Sequence, residues 1–277
     1  MLQKQPPLLQ TEVAANTIPI NMKNGKPMNA IKILSILMCL STFICCKKSN
    51  DQQHDNRKTY LTKLTNINGT TIFNYNPENK LASITFTATD GTITTQTYSD
   101  FNAAGLPTKS TIVQAGETTT KEMEYDGQNR LVKITVREAD AIYKTSVYSY
   151  TSNSMEYSNY SSSGSLWGRF VYTFDVKGNV SGYTVYNSSN VLTERITCNA
   201  YDDKKSLKEF YYHEDTRPFM SFNNNNLSEM QSVSGGTETY THTYTHEYNQ
   251  DGYPTKRTLR IMPTEFETTV TYEYTKR

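Results

Sequence analysis

Cysteine is scarce in this chain of 277 residues. Only Cys39, Cys45, Cys46 and Cys198 occur, and three of them crowd one N-terminal segment, so no disulfide framework is available. Charge of one sign is missing as well. With 28 basic and 27 acidic residues the chain carries a formal +1, which leaves no electrostatic footprint for nucleic acid and no basic helix for a membrane surface. No apolar run reaches the roughly 20 residues that a spanning helix needs. Beyond residue 58 no stretch shows helical periodicity. Gly at 13 and Pro at 9 are too few for a low-complexity chain.

What is present is tyrosine: 21 residues, against 10 Phe and 1 Trp. Tyrosine and threonine suit a pleated, half-buried surface, so the composition favours β structure. The mean hydropathy of −0.66 belongs to a chain that is polar apart from one segment.

That segment is 33–45. Its thirteen uncharged, mostly apolar residues are too short to span a bilayer but match a signal-peptide core of roughly 7–15, with Lys32 as positive flank. Phe43-Ile44-Cys45 ahead of Cys46 resembles a lipobox. The resemblance implies cleavage before Cys46 and acylation of its thiol. Cys46 is the better acceptor, because choosing Cys45 would put bulky Ile44 at the cleavage point. The expected organisation is a mis-called start or disordered extension over 1–27, a lipoprotein signal peptide over 28–45, a polar tether over 46–58 and a repeat domain over 59–277. Without residues 1–45 the balance becomes 24 basic to 26 acidic residues.

The repeat is an aromatic residue, then Asn or Asp, two variable residues, then Gly or Asn. Copies begin at Tyr75, Phe101, Tyr125, Tyr150, Phe174, Tyr201, Phe222 and Tyr248, spaced 21 to 27 residues apart. The second position holds Asn76, Asn102, Asp126, Asp175, Asp202, Asn223 and Asn249, with Thr151 departing. The fifth holds Asn79, Gly105, Asn129, Gly178, Asn226 and Gly252, with Ser154 and Lys205 departing. Asn or Asp caps a type I turn through its side chain. Three residues on, the chain needs positive φ, which Gly and Asn adopt at least cost. Each copy therefore marks a hairpin turn with a bulge.

Looser turn signals such as Asp90-Gly91 and Ala115-Gly116 fall between the copies. The intervening segments alternate: Val132, Ile134 and Val136 oppose Lys133, Thr135 and Arg137. The expectation is an all-β, antiparallel up-and-down meander of about 16–18 strands in ~25-residue hairpin repeats, with the sheet curled or closed into a barrel.

Tyr125-Asp-Gly-Gln-Asn-Arg-Leu131 and Phe174-Asp-Val-Lys-Gly178 resemble the YD repeats of Rhs-type proteins. With the lipobox and Lys47-Lys48, residues 59–277 look like the uncharacterised Bacteroidota-type lipoproteins described as having a porin-like β fold. The resemblance implies an envelope location, in the outer membrane, and says little of activity.

No catalytic set, cofactor motif or metal site is expected. His242 and His246 share a strand face, but four strand residues span about 13 Å, too far for one ion bound at about 2 Å. No Gly-x-Ser-x-Gly turn or phosphate-binding loop occurs. Cys198 reads as a small buried strand residue. Trp167 and the tyrosine rows read as core rather than as sugar platforms.

The expected function is therefore a non-enzymatic, lipid-anchored envelope module that binds a glycan, a peptide or an envelope protein, or is structural. One alternative is a membrane-embedded β-barrel pore or plug. Against it stand Lys144, His242, His246 and Thr268 on otherwise apolar faces, and turns that read as short on both sides. A second alternative is a hydrolase with a site assembled from distant strands. Pairing of the first strand near Tyr60 with the last near Tyr272 would decide whether the sheet closes.

Overall fold

A computed structural model describes residues 57–212, 223–234 and 238–277. The tether up to residue 56, the signal segment, Cys46 and residue 222 lie outside the described residues. Sixteen strands follow one another: β1 (Thr59–Asn66), β2 (Gly69–Tyr75), β3 (Leu81–Ala88), β4 (Ile93–Phe101), β5 (Pro107–Gln114) and β6 (Glu117–Tyr125). Then come β7 (Leu131–Glu138), β8 (Ala141–Tyr150), β9 (Ser154–Ser161), β10 (Leu166–Phe174), β11 (Val180–Asn187) and β12 (Leu192–Tyr201). After one 3-10 turn (Lys208–Phe210) follow β13 (Leu227–Ser234), β14 (Glu238–Tyr248), β15 (Pro254–Met262) and β16 (Phe266–Lys276).

Every strand pairs antiparallel with its chain neighbours, and β1 pairs with β16. Tyr60 lies opposite Thr275 and Leu64 opposite Tyr272, so the meander closes into a barrel. Closure satisfies both sheet edges, which would otherwise expose unpaired backbone.

The repeat makes one end of this barrel. At β6–β7 the Asp126 carboxylate accepts the N–H groups of Gln128 and Arg130, both at 2.9 Å. Asn102, Asp175 and Asn249 do the same at β4–β5, β10–β11 and β14–β15, and Asn76 accepts from Lys80 at 2.8 Å. The fifth positions Asn79, Gly105, Asn129, Gly178 and Gly252 have φ between 59° and 83°. The Asp126 carboxyl is held below the usual range, first by the Arg130 N–H it accepts. Thr151 closes a shorter turn, its hydroxyl accepting the Ser154 N–H at 3.0 Å.

Two copies do not form two hairpins. β12 ends at Tyr201 and β13 begins at Leu227, so 202–226 is one connection. Asp202 closes it with Asn226, whose N–H donates to the Asp202 carboxylate at 3.1 Å. Asn223 instead accepts the Val180 N–H at 2.7 Å. The Asn run mimics a turn because Asn side chains cap any nearby backbone N–H, and here that N–H belongs to the neighbouring hairpin.

Four tyrosines at the first position, and Tyr274 near the end of β16, share one further bond. The Tyr75, Tyr125, Tyr150, Tyr201 and Tyr274 hydroxyls donate to the carbonyls of Leu61, Pro107, Leu131, Val180 and Pro254. Each ties the end of one strand to the start of the strand before it.

Candidate functional site

The lumen, its two mouths and the outer wall are the surfaces a closed barrel offers. Alternation decides which side chains meet which. Across β6, β7, β8 and β9, Met123 faces Ile134, Ile134 faces Ser146, and Tyr148 faces Tyr157. These residues are buried. A circular ring of sixteen strands leaves an aqueous channel. Here Tyr172 is 2% exposed and Ile134 0%, and the Tyr172 ring stands between those of Tyr157 and Tyr183 on the neighbouring strands. The lumen face of this wall is therefore packed with side chains instead of standing open to water.

Two aromatic-rich clusters line the lumen. In one, Tyr157 stacks on Phe170 at 4.6 Å and Tyr172 on Tyr183 at 5.1 Å. The other spans β1–β4, the β14–β15 turn and β16 and takes in residues from the long connection. Leu207, Phe210 and Tyr211 are buried against it. Tyr211 meets Phe73 edge-on at 5.4 Å, Tyr212 meets Tyr98 at 4.9 Å, and Phe210 meets Tyr253 at 5.1 Å. The Tyr212 hydroxyl donates to the Leu81 carbonyl at 3.3 Å. Farther along, Asn224 and Asn225 donate their N–H groups to the buried Asn179 side chain, at 2.9 and 3.0 Å. The described parts of the connection thus sit at the tight-turn mouth, 207–212 against the β1–β4 wall and 223–226 against the β10–β11 turn, and form a stopper there. Sequence reasoning missed this stopper. The only signals were the uneven 27- and 21-residue intervals on either side of Tyr201 and the departure at Lys205.

The polar residues on the apolar faces sit inside. His242 and His246 lie opposite Ile261 and Arg257. The His242 Nε2 is 3.0 Å from the Ser232 hydroxyl, and its Nδ1 has no hydrogen-bond partner among the described residues. A nucleophile–base pair needs a third group to orient the base, and none meets His242 here. Burial lowers its pKa, and it lowers that of His246 to about 4 against the pull of Asp202. Cys198 on β12 is half-buried, and burial pushes its thiol up to about 11. Among the described residues no three His, Cys, Asp or Glu side chains form a metal-binding group. Trp167 stands apart from the buried tyrosine rows, 43% exposed beside Tyr143.

The outer wall is polar. Lys63 pairs with Glu273, Lys133 with Glu124, Lys256 with Glu247 and Arg169 with Glu156, all within 2.9 Å. These pairs are spread around the ring and mostly exposed. Such pairs contribute little stability, about 0–1 kcal/mol each. They matter for what they exclude: a lipid-facing Lys or Arg costs about 2–4 kcal/mol at the bilayer midplane. The objection raised from Lys144, His242, His246 and Thr268 therefore falls on the wrong face, since that face lines the lumen.

The barrel has structural neighbours among porin-like proteins. A porin-like protein from Bacteroides vulgatus matches at 15% identity over 77% of this chain and 98% of its own, with a TM-score of 0.46. A porin-like protein from Bacteroides uniformis matches at 17% over 78% and 95%, with a TM-score of 0.40. The Photorhabdus luminescens Tc holotoxin pore matches at 17% over 73% of this chain and 9% of that one, at 0.27. No family model and no curated protein matches.

The expected binding or structural module is corrected here. The sheet does not present an open face or edge to a glycan, peptide or protein; it closes through β1 and β16. A closed sixteen-strand barrel is the architecture expected of the alternative, a pore or plug.

Proposed function

We propose that the protein is an occluded, porin-like barrel of the cell envelope: a pore architecture whose lumen is filled by its own side chains and stoppered by residues 207–212 and 223–226. It is non-enzymatic, and it is held at the outer membrane through a lipid on Cys46. The YD-type turns serve to set the register of the hairpins. The observation that carries this reading is the stopper, in which Leu207, Phe210 and Tyr211 are buried against the end of a closed ring. The polar outer wall supports a barrel standing in water rather than one set in the bilayer along its height.

Cys198 tests the occlusion, because its thiol lies inside the wall. In the folded full chain, a bulky maleimide is expected to label Cys198 at least tenfold more slowly than in denaturant, scored by peptide mass mapping. The double variant Leu207→Ala, Phe210→Ala is expected to label faster while keeping its β circular dichroism. Stepwise conductance from the unmodified protein in planar bilayers would overturn the reading. So would labelling of folded Cys198 at the denatured rate.

A further inference from the structure

The two rims of the barrel differ. Twelve large apolar side chains are exposed among the described residues. Ile72 and Val147 lie on the outer wall and Val176 in a tight turn. The other nine all lie within two residues of a connection at the rim away from the stopper. Six of them, Ile67, Ile93, Val113, Ile142, Trp167 and Leu192, come from the six successive hairpins β1–β2 to β11–β12. Met262 and Phe266 add the β15–β16 hairpin. The remaining connection, β13–β14, lies outside the described residues. Singly exposed apolar residues are ordinary. A ring of them, with at least one on every described hairpin of one end, is not a scatter.

We infer that this rim is a lipid-docking crown, which seats the barrel end-on in the interface of a zwitterionic membrane. The geometry fits a flat, laterally uniform surface, because the apolar residues encircle the mouth instead of forming one patch. Charge selects the lipid. The seven described connections at this rim contain Asp90, Asp140 and Glu265 and no Lys or Arg. The arginines nearest these connections are Arg137, ion-paired to Glu122, and Arg260, which lies opposite Glu267. Such a rim is repelled by anionic headgroups and tolerated by neutral ones.

The chain ahead of the barrel is long enough to permit this orientation. β1 starts at the stoppered end, so the chain before Thr59 joins the barrel at the opposite rim. Residues 47–58 reach at most about 40 Å when extended. Strands of 8–11 residues span about 26–36 Å. A lipid on Cys46, which belongs to the preceding proposal, can therefore lie in the same membrane as the crown. The crown itself does not depend on the barrel being occluded.

Trp167, the only tryptophan, reports on the crown directly in the full chain, whatever the N-terminal segment does. On adding phosphatidylcholine vesicles its emission is expected to shift to the blue and to be quenched by brominated acyl chains. The triple variant Ile93→Ser, Ile142→Ser, Leu192→Ser is expected to weaken that quenching at least fivefold, and Val176→Ser to leave it unchanged. Three results would overturn the inference. One is Trp167 emission unmoved while the protein floats with the vesicles. Another is stronger quenching in phosphatidylglycerol than in phosphatidylcholine. The third is a shift without vesicles that rises with protein concentration and doubles the mass by light scattering, which would assign the rim to a second copy of the chain. Free access to Cys198 would sink the occlusion and leave these outcomes untouched.

Discussion

Single residues hold this barrel's corners, and two glycines show how differently they do so. Gly252 sits in a tight turn at φ 83° with nothing within 4 Å of an added Cβ. Gly69 opens β2 at φ 148°, where a Cβ would meet the Thr87 carbonyl oxygen at 2.1 Å and the Ala88 Cα at 2.9 Å. The first position asks only for a left-handed backbone, so Gly252→Ala should cost about 1 kcal/mol. The second forbids the atom as well. Both obstructing atoms are backbone in β3, which cannot move without breaking ladder bonds. Gly69→Ala should therefore cost about 3 kcal/mol or more. Urea midpoints of the two variants measure the difference, and equal midpoints would mean the β1–β2 corner yields more easily than its geometry implies. The sequence pattern singles out Gly252 at its fifth position but gives no sign of Gly69, because the close approach comes from another strand.

At the scale of the hairpin, the tyrosine that opens a copy does more than pack. The Tyr150 hydroxyl donates to the Leu131 carbonyl at 2.8 Å, and Leu131 is 1% exposed, so no water replaces the donor. Burial pushes the Tyr150 phenol up to about 12, so it stays protonated and able to donate. Tyr150→Phe keeps the ring and leaves that buried carbonyl short of a partner, a cost of about 1–2 kcal/mol. Tyr186→Phe on the outer wall, where the ring packs under Arg169 at 3.9 Å, should stay within about 0.5 kcal/mol. Denaturant titration of both variants checks the contrast. The hairpin itself was legible in the sequence because its cause is local. Asp126 and Asn129 lie within one turn, and their side-chain chemistry dictates its shape wherever it occurs. The hydroxyl bond crosses to another hairpin, and the period alone carries no sign of it. The 202–226 connection was hidden for a related reason. Asp202 and Asn226 build the same closing bond as a tight turn while 23 residues pass between them, so a reader of local motifs counts two turns where there is one stopper.

For the whole molecule, alternation predicts two faces but cannot say which one turns inward. That choice belongs to closure, which rests on β1 meeting β16 across most of the chain's length. Once the ring is closed, the two faces become two environments, and the charges decide what surrounds the barrel. Lys63–Glu273, Lys133–Glu124, Lys256–Glu247 and Arg169–Glu156 stand on different strand pairs, so no rotation of the barrel in a bilayer removes all of them from lipid. A lipid-facing cation costs about 2–4 kcal/mol near the midplane, falling to about 0–1 near the interfaces, so mid-strand cations such as Lys63 would draw on the ~5–15 kcal/mol that a folded domain typically has in reserve. Water as the surrounding medium costs nothing comparable. The chain from residue 47 onward should therefore fold without detergent or lipid and elute as a monomer of its own mass by light scattering. Its β circular dichroism should be unchanged by added detergent micelles. A requirement for detergent to fold would place the charged wall against lipid after all, and would return the barrel to a spanning role.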